Sequence, residues 1–125
     1  KLLLSPWSKT RHLDSEFLMI MRNQDGKSGF VLDGETIELI GLQYDQLKNL
    51  AKRLIVKDKI DKEKLLSSAI IIKFLEKQFS SAHRYYFQTI IKPHKDWLEL
   101  TERKFTPMID GDPLDKWIKD RILLV

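Results

Sequence analysis

The chain of 125 residues contains no cysteine. Disulfide bonds and thiolate-bound zinc are therefore excluded, and the absence is typical of proteins that work in a reducing compartment. No stretch reaches the roughly 20 apolar residues that a membrane-spanning helix needs. The longest candidate is interrupted by Lys73 and Glu76. We therefore expect a cytoplasmic protein without a membrane span.

Motifs that would carry catalysis or bind a cofactor are also lacking. The three histidines, His12, His83 and His94, share no metal-ligand spacing, and no serine lies in a GxSxG motif. The segment Asp25 to Gly29 has neither the repeated carboxylates of a calcium loop nor the residue order of a phosphate-binding loop. Carboxylates are plentiful, but each is placed on a charged face or at a helix cap, where we expect ordinary pKa values. The sequence predicts no catalytic residue, no cofactor and no metal site.

The size and charge of the chain favour one domain. A chain of 125 residues with 42% hydrophobic residues can bury one core, so we predict a single domain over residues 1–125. Its 22 Lys and Arg against 18 Asp and Glu give a net charge of +4. Charges of both signs that are mixed along the chain usually belong to a solvated surface. Because the chain begins with Lys1 instead of methionine, we expect it to be a piece of a larger protein.

The stretch Leu65 to Phe79 is the strongest structural signal in the sequence. Its apolar residues cover most sides of a helix and leave only the wedge that holds Lys73 and Glu76, a possible i, i+3 ion pair, for water. Asp61 is the expected N-cap of this helix. Such a helix must be surrounded by several others. We therefore predict an all-α fold, a bundle of about five to six helices around a central apolar helix at residues 62–79.

Two short helices with a turn between them are predicted before the central helix. The first carries apolar residues at helical spacing up to Met21. The Asp25-Gly26 pair then indicates a turn in the loop that follows. Asp33 is the expected N-cap of the second helix, and Gly41 would end it in a left-handed conformation.

An amphipathic helix is predicted from Tyr44 to Val56. Four cations lie on its flanks and back, namely Lys48, Lys52, Arg53 and Lys57. They could form a phosphate-binding face, or a solvated face near a helix C-terminus, where the macrodipole favours basic residues. The alternative function is therefore a small basic helical domain that binds nucleic acid through the surface from Lys48 to Lys64. No aromatic residues interleave with these cations, although base stacking would need them.

Two further helices are predicted after the central helix, from Ala82 to Leu100 and from Pro113 to about Leu124. Pro93 removes a backbone donor, so we expect a kink just before it or two helices end to end. Residues 101–111 should form a loop. Asp112 should cap the final helix, with proline at the first helical position.

Five segments of the chain share their order and residue types with a known family. Residues 17–26, FLMIMRNQDG, end in the Asp-Gly turn, which is followed by FVL at 30–32 and IELIGL at 37–42. Residues 67–76, SSAIIIKFLE, and residues 86–98, YFQTIIKPHKDWL, complete the order. Over roughly residues 13–100 the chain resembles the C-terminal helical region of proteins that carry VIT and von Willebrand A domains. This family includes the vault poly(ADP-ribose) polymerases.

The resemblance implies a non-catalytic domain at the C-terminal end of a larger protein. In the vault polymerase branch, that parent protein is an ADP-ribosyltransferase whose nucleotide chemistry resides in another domain. The resemblance also implies docking onto a large cytoplasmic assembly, with major vault protein of the vault particle as the partner in that branch. We therefore predict a protein-protein interaction domain that is not itself an enzyme.

Candidate contact residues for such docking are apolar groups near the ends of the chain that the core does not need. They are Trp7, Trp117, Ile118, Leu123 and Leu124. The other interpretation is that these side chains simply close the bundle, since large aromatic residues are common in cores as well as in interfaces.

Overall fold

The computed structural model describes residues 14–26, 28–57, 59–78 and 87–121. Six α-helices lie in these ranges: α1 Asp14–Met21, α2 Gly34–Ile40, α3 Tyr44–Arg53, α4 Lys62–Gln78, α5 Lys92–Phe105 and α6 Leu114–Arg121. A π-helical segment, Phe87–Ile91, leads into α5, and strands β1 Met108–Ile109 and β2 Asp112–Pro113 form a small antiparallel hairpin. The predicted all-α class is confirmed.

Helix α4 is the centre of the core, as its apolar sequence predicts. Every residue from Leu65 to Ile72 is buried, including Ser67 and Ser68. Helices α3, α5 and α6 and the π-helical segment all pack against it. At its start, Asp61 Oδ1 accepts the backbone N–H of Lys64 at 3.0 Å, which is the predicted N-cap.

The loop before α2 contains the predicted Asp-Gly turn. Gly26 has a φ of 63°, and the backbone N–H of Asp25 donates to Gly29 O at 3.0 Å. The side chain of Asn23, which is buried, holds the two ends of the loop together. Its Nδ2 donates to Thr36 Oγ1 at 2.7 Å, and its Oδ1 accepts the backbone N–H of Asp33 at 2.6 Å. A buried amide therefore fixes the path of the chain from α1 to α2.

Both ends of α2 are as predicted. Asp33 Oδ1 accepts the backbone N–H of Thr36 at 2.8 Å. At the other end, Gly41 has a φ of 89° and its N–H donates to Glu38 O, while the N–H of Leu42 donates to Ile37 O at 3.0 Å. These two bonds form a Schellman motif, which satisfies carbonyls that the helix end would otherwise leave open.

Helix α3 ends at Arg53, three residues before the predicted Val56. The reason is a tertiary contact that the local sequence does not reveal. The backbone N–H and C=O of Ile55 both bond to Met108 at 2.8 Å, so this residue joins the edge of the small hairpin. The β-branched Ile55 suits this extended pairing better than another helical turn.

Helix α5 agrees with its prediction next to Pro93 but continues past its predicted end. The π-helical segment immediately before Lys92 is the predicted irregularity next to Pro93. The expected loop over residues 101–111 is wrong, because α5 continues to Phe105 and the hairpin occupies much of the rest. Thr101 is buried and continues the inward face of Leu98, which explains the longer helix. The predicted start at Ala82 lies outside the described residues.

The final helix starts one residue later than predicted. Pro113 belongs to β2, and the backbone N–H of Leu114 donates to Pro107 O at 3.0 Å. Leu114, Trp117 and Ile118 face inward and are buried, as the apolar spacing predicts. The predicted end near Leu124 lies outside the described residues.

The Asp-Gly loop is attached to α4 through Ser68. The backbone N–H of Phe30 donates to Ser68 Oγ at 2.8 Å, and both residues are fully buried. Gly29 lies so close to the helix that a Cβ added to it would meet Lys64 Cε at 2.5 Å and Ser68 Oγ at 3.1 Å. On the other side, His94 Nε2 lies 2.7 Å from Gln24 Oε1, and the His94 ring contacts Phe30 with centroids 4.5 Å apart.

We expect Ser68→Ala to lower the free energy of unfolding by about 1 to 3 kcal/mol, because it leaves the buried N–H of Phe30 without an acceptor. Ser67→Ala is the matched control. Ser67 is equally buried, but its hydroxyl has no hydrogen-bond partner among the described residues. Chemical denaturation of the two variants checks the difference, and equal losses would contradict the role given to Ser68.

Glycine substitutions test the close approach of the loop. Gly26 and Gly29 both have positive φ values, but only Gly29 has neighbours within 4 Å of an added Cβ. We expect Gly26→Ala to cost about 1 kcal/mol from backbone strain alone. Gly29→Ala should cost about 2 to 4 kcal/mol because the strain and the overpacking add. Thermal unfolding measures both, and a Gly29→Ala variant as stable as Gly26→Ala would show that the loop can move away from α4.

Candidate functional site

Two grooves with charged walls are the candidate sites. The first, here called the mixed-charge groove, lies between α4, α5 and α6 and has a volume of about 830 Å³. Cations and carboxylates both line it: Lys73, Glu76, Lys95, Glu99, Glu102, Arg103 and Asp115, together with Thr106 and Pro113.

Lys73 is the cation that joins α4 to α6 in the mixed-charge groove. Its Nζ lies 2.6 Å from Asp115 Oδ1 and 4.0 Å from Glu76 Oε1. The ion pair with Glu76 that the i, i+3 spacing suggests is therefore the weaker contact. Burial alone would lower the pKa of Lys73, but the hydrogen bond to Asp115 and the nearby carboxylates of Glu76 and Glu102 raise it. Lys73 is therefore a fixed positive charge at neutral pH.

Glu102 is a carboxylate of the mixed-charge groove whose protonation changes near neutral pH. Burial against α4 and α6 raises its pKa to about 7, and the negative charges of Asp115 and Glu99 act in the same direction. The positive charge of Lys73 opposes this rise only in part. The expectation that every carboxylate has an ordinary pKa is therefore wrong for Glu102. A side chain of this kind can exchange a proton at neutral pH.

The helical spacing of residues 98–105 could have identified Glu102 as an inward-facing residue. The loop predicted over residues 101–111 did not allow for this. If α5 is continued past Leu100, then Leu98, Thr101, Glu102 and Phe105 follow one another at i, i+3, i+4 and i+7. This is the inward stripe of a helix, so it turns Glu102 toward the neighbouring helices.

The second candidate, here called the basic groove, lies where α3 packs against the start of α4. Its walls are Lys48 and Lys52 of α3 and Lys62 and Glu63 of α4, with the buried Ala51 between them. Its volume is about 540 Å³. Lys48 Nζ lies 4.7 Å above the ring of Tyr44, which is half exposed. Three ammonium groups therefore surround one open depression.

The predicted basic surface is divided by the fold. Lys48 and Lys52 lie in the basic groove, whereas Arg53 points toward the hairpin and donates from Nε to Asp110 Oδ1 at 3.2 Å. The Arg53 guanidinium also lies 5.9 Å from the ring of Trp117. Lys57 is exposed in the connection after α3, and its backbone N–H donates to Phe105 O at 3.1 Å. Lys62 joins the cations of α3 only through the packing of α4.

The predicted docking residues near the chain ends have two different outcomes. Trp117 and Ile118 are 3% and 0% exposed and belong to the core cluster, so these two close the bundle and do not offer a free surface. Trp7, Leu123 and Leu124 lie outside the described residues, and a contact through them stays a prediction.

His94 is a buried residue with a structural role in the described part of the chain. It is 2% exposed, and no hydrogen-bond partner of its Nδ1 lies among the described residues. Burial lowers the pKa of His94, and the nearby charge of Lys64 lowers it further. The neutral ring can then donate from Nε2 to Gln24 Oε1. Sequence analysis did not identify this role, because the contact joins residues far apart in the chain.

A few large apolar side chains are exposed in the described ranges. Within the described ranges, the large hydrophobic side chains that are exposed are Leu18, Val31, Tyr44, Ile55 and Leu100. They come from different elements, and exposed apolar residues that occur singly are ordinary on protein surfaces. The grooves are therefore the better defined surface features.

Metal-ligand clusters, membrane-spanning helices and similarity to known proteins are three further indicators of function. Among residues 14–26, 28–57, 59–78 and 87–121, no three His, Asp or Glu side chains are grouped as metal ligands would be. None of the described helices has both the length and the hydropathy to cross a bilayer. Comparisons of the chain with protein families, curated proteins and solved structures find no match.

The raised pKa of Glu102 predicts a pH dependence of stability. The unfolded chain ionises this carboxyl around 4.5, whereas the folded protein keeps the proton up to about pH 7. The folded state therefore binds more protons in this window, and the Glu102 contribution to stability falls as the pH rises from 4.5 to 7. We expect Glu102→Gln to raise the melting temperature above pH 7 and to change it little near pH 4.

Thermal unfolding of wild type and variant across this pH range measures the effect. The lowered pKa of His94 makes its own contribution rise with pH through the ordinary value of 6.5, so the difference between the two proteins is the informative quantity. Glu38→Gln, which removes an exposed carboxylate of α2, should retain the wild-type profile. A constant difference between wild type and Glu102→Gln at all pH values would contradict the assignment.

Proposed function

We propose that this chain is a non-catalytic protein-protein interaction domain that docks its parent protein onto a large cytoplasmic assembly. The specific candidate is the vault particle, with major vault protein as the contact. The parent protein would then carry the ADP-ribosyltransferase activity in another domain.

The segments on which the family resemblance rests contact one another in the folded chain. This observation supports the proposal most directly. Phe30, which follows the Asp-Gly turn, bonds to Ser68 in the SSAIIIKFLE segment and contacts His94 in the YFQTIIKPHKDWL segment. Lys64, just before the SSAIIIKFLE segment, forms a 3.0 Å ion pair with Asp25 and lies 5.0 Å from the ring of Trp97. The similar motifs thus form one packed unit, as a shared fold requires, and this supports the resemblance.

The use of the buried polar groups also supports a binding role. Asn23, Thr36, Ser68 and His94 are buried, and their described hydrogen bonds hold the Asp-Gly loop on α2, α4 and α5. These groups stabilise the fold, and the charged residues that are left for a ligand lie in open grooves on the surface. Charged groups on an open surface can steer and orient a protein partner of complementary charge.

Nucleic-acid binding is the second candidate, and the basic groove is the observation that favours it. Lys48, Lys52 and Lys62 line one depression, and phosphate groups are natural ligands of such a surface. Salt dependence separates the two candidates. Affinity for nucleic acid falls steeply with added salt because counterions are released on binding, whereas a docking site with apolar contacts depends on salt far less.

A co-sedimentation experiment with purified vault particles tests the proposal. We expect the domain to sediment with the particles and to be retained in part when the salt concentration is raised, because apolar contacts depend on salt far less than charged ones. A Leu123→Ala and Leu124→Ala double variant and a Trp7→Ala variant should weaken retention if the predicted apolar contacts are used. Absence of the wild-type domain from the particle fraction would contradict the vault assignment. Tight, salt-sensitive binding to a generic DNA duplex would favour the second candidate.

A further inference from the structure

We propose that the basic groove formed by Lys48, Lys52 and Lys62 binds an acidic peptide segment of the protein partner. This inference rests on the proposed function, because it names the chemistry of the segment that the docking domain recognises.

The net charge of the chain is concentrated in the segment that supplies the lysines of this groove. Residues 48–64 contain seven Lys or Arg and three Asp or Glu, a net charge of +4 that equals the net charge of the whole chain. The remainder of the sequence is therefore electrically balanced. The charges of both signs that are mixed along the whole chain do not reveal that this segment carries the positive excess. A positive potential over one surface attracts and orients an acidic partner.

The fold uses some of these cations and leaves others for a ligand. Arg53 is paired with Asp110, and Lys64 is paired with Asp25 and lies over the ring of Trp97. In contrast, the three groove lysines have no carboxylate within ion-pair distance in the described part of the chain, and all three are exposed. Their charges are therefore not neutralised by ion pairs with the described carboxylates.

The groove arranges these charges in a defined way. Lys48 and Lys52 are one helical turn apart on α3, and Lys62 faces them from the first turn of α4. The small buried side chain of Ala51 keeps the floor low between them. A depression of about 540 Å³ can hold a few extended residues, with carboxylates directed at both walls.

Two observations favour a peptide over nucleic acid. Glu63 lies in the same groove, and its carboxylate would repel a backbone with a negative charge on every unit. A peptide can place an uncharged or basic residue opposite Glu63 and acidic residues opposite the lysines. In addition, Tyr44 is the exposed aromatic side chain beside the groove, and the Lys48 ammonium lies over its ring. One face of this ring is thus covered by a cation and is not open to stacking with a base.

The test uses the whole chain and a short fluorescein-labelled peptide of alternating Glu and Ser, with a Gln-Ser peptide as the neutral probe. The groove variant carries Lys48→Glu, Lys52→Glu and Lys62→Glu. The matched control carries Lys92→Glu, Lys104→Glu and Lys119→Glu, three exposed lysines elsewhere with the same change in net charge. Circular dichroism and thermal unfolding establish that both variants are folded.

Fluorescence anisotropy should show binding of the acidic peptide and none of the neutral peptide. We expect the groove variant to weaken binding by at least about tenfold and the control variant by no more than about twofold. Equal weakening by the two variants would show attraction to net charge alone and would overturn the inference. Tighter binding of oligothymidine than of the acidic peptide to the groove would overturn it as well.

The Glu63 carboxylate of the groove allows a single substitution that should not disturb folding. Glu63→Gln removes the repulsive group from the groove and should strengthen binding of the Glu-Ser peptide by about two- to threefold. Glu38→Gln makes the same charge change away from the groove and should have less effect. No difference between the two variants would count against the groove as the binding site.

The same proteins separate this inference from the proposed function. If the wild-type domain binds vault particles and the groove variant binds them equally well, docking stands and the acidic-peptide inference fails. If the domain binds the acidic peptide through the groove but does not sediment with vault particles, the inference stands and the vault assignment fails.

Discussion

Every residue of helix α4 from Leu65 to Ile72 is buried. The elements that cover this stretch therefore place some of their own polar groups in an apolar environment. The loop from Asn23 to Phe30 does this most directly. Its backbone approaches α4 so closely that Gly29 has no room for a side chain, and Ser68 supplies the acceptor that the Phe30 N–H would otherwise lack. Buried polar groups without partners are costly, so loop, Ser68 and His94 are required together.

The same burial decides where the charges can lie. Helix α4 reaches solvent at its first turn, beside α3, and again near Lys73 and Glu76, beside α5 and α6. A charged groove has formed at each place. In the mixed-charge groove, cations and carboxylates pair with one another, and burial raises the pKa of Glu102 to about 7. In the basic groove the lysines lack such partners among the described residues, so this groove is the one with charge available for another molecule.

Sequence analysis predicted the features that depend on neighbours in the chain. The all-round apolar pattern of α4, its Asp61 cap, and the Asp33 and Gly41 caps of α2 are local signals, and the structure confirms them. Features that depend on distant contacts were missed. Pairing of Ile55 with Met108 shortens α3, and packing of α5 against α4 and α6 buries Glu102. Two lysines of the basic groove were identified from α3, but Lys62 joins them only in the folded chain.

The central claim is that the Asp-Gly loop and α4 form one structural unit. Amide hydrogen exchange at Phe30, followed by NMR under native conditions, tests it most directly. If the N–H is held by Ser68 in the core, it exchanges only through global unfolding, as slowly as the amides in the middle of α4. Exchange at Phe30 that is as fast as in an exposed loop, while Ile70 stays protected, would contradict the account.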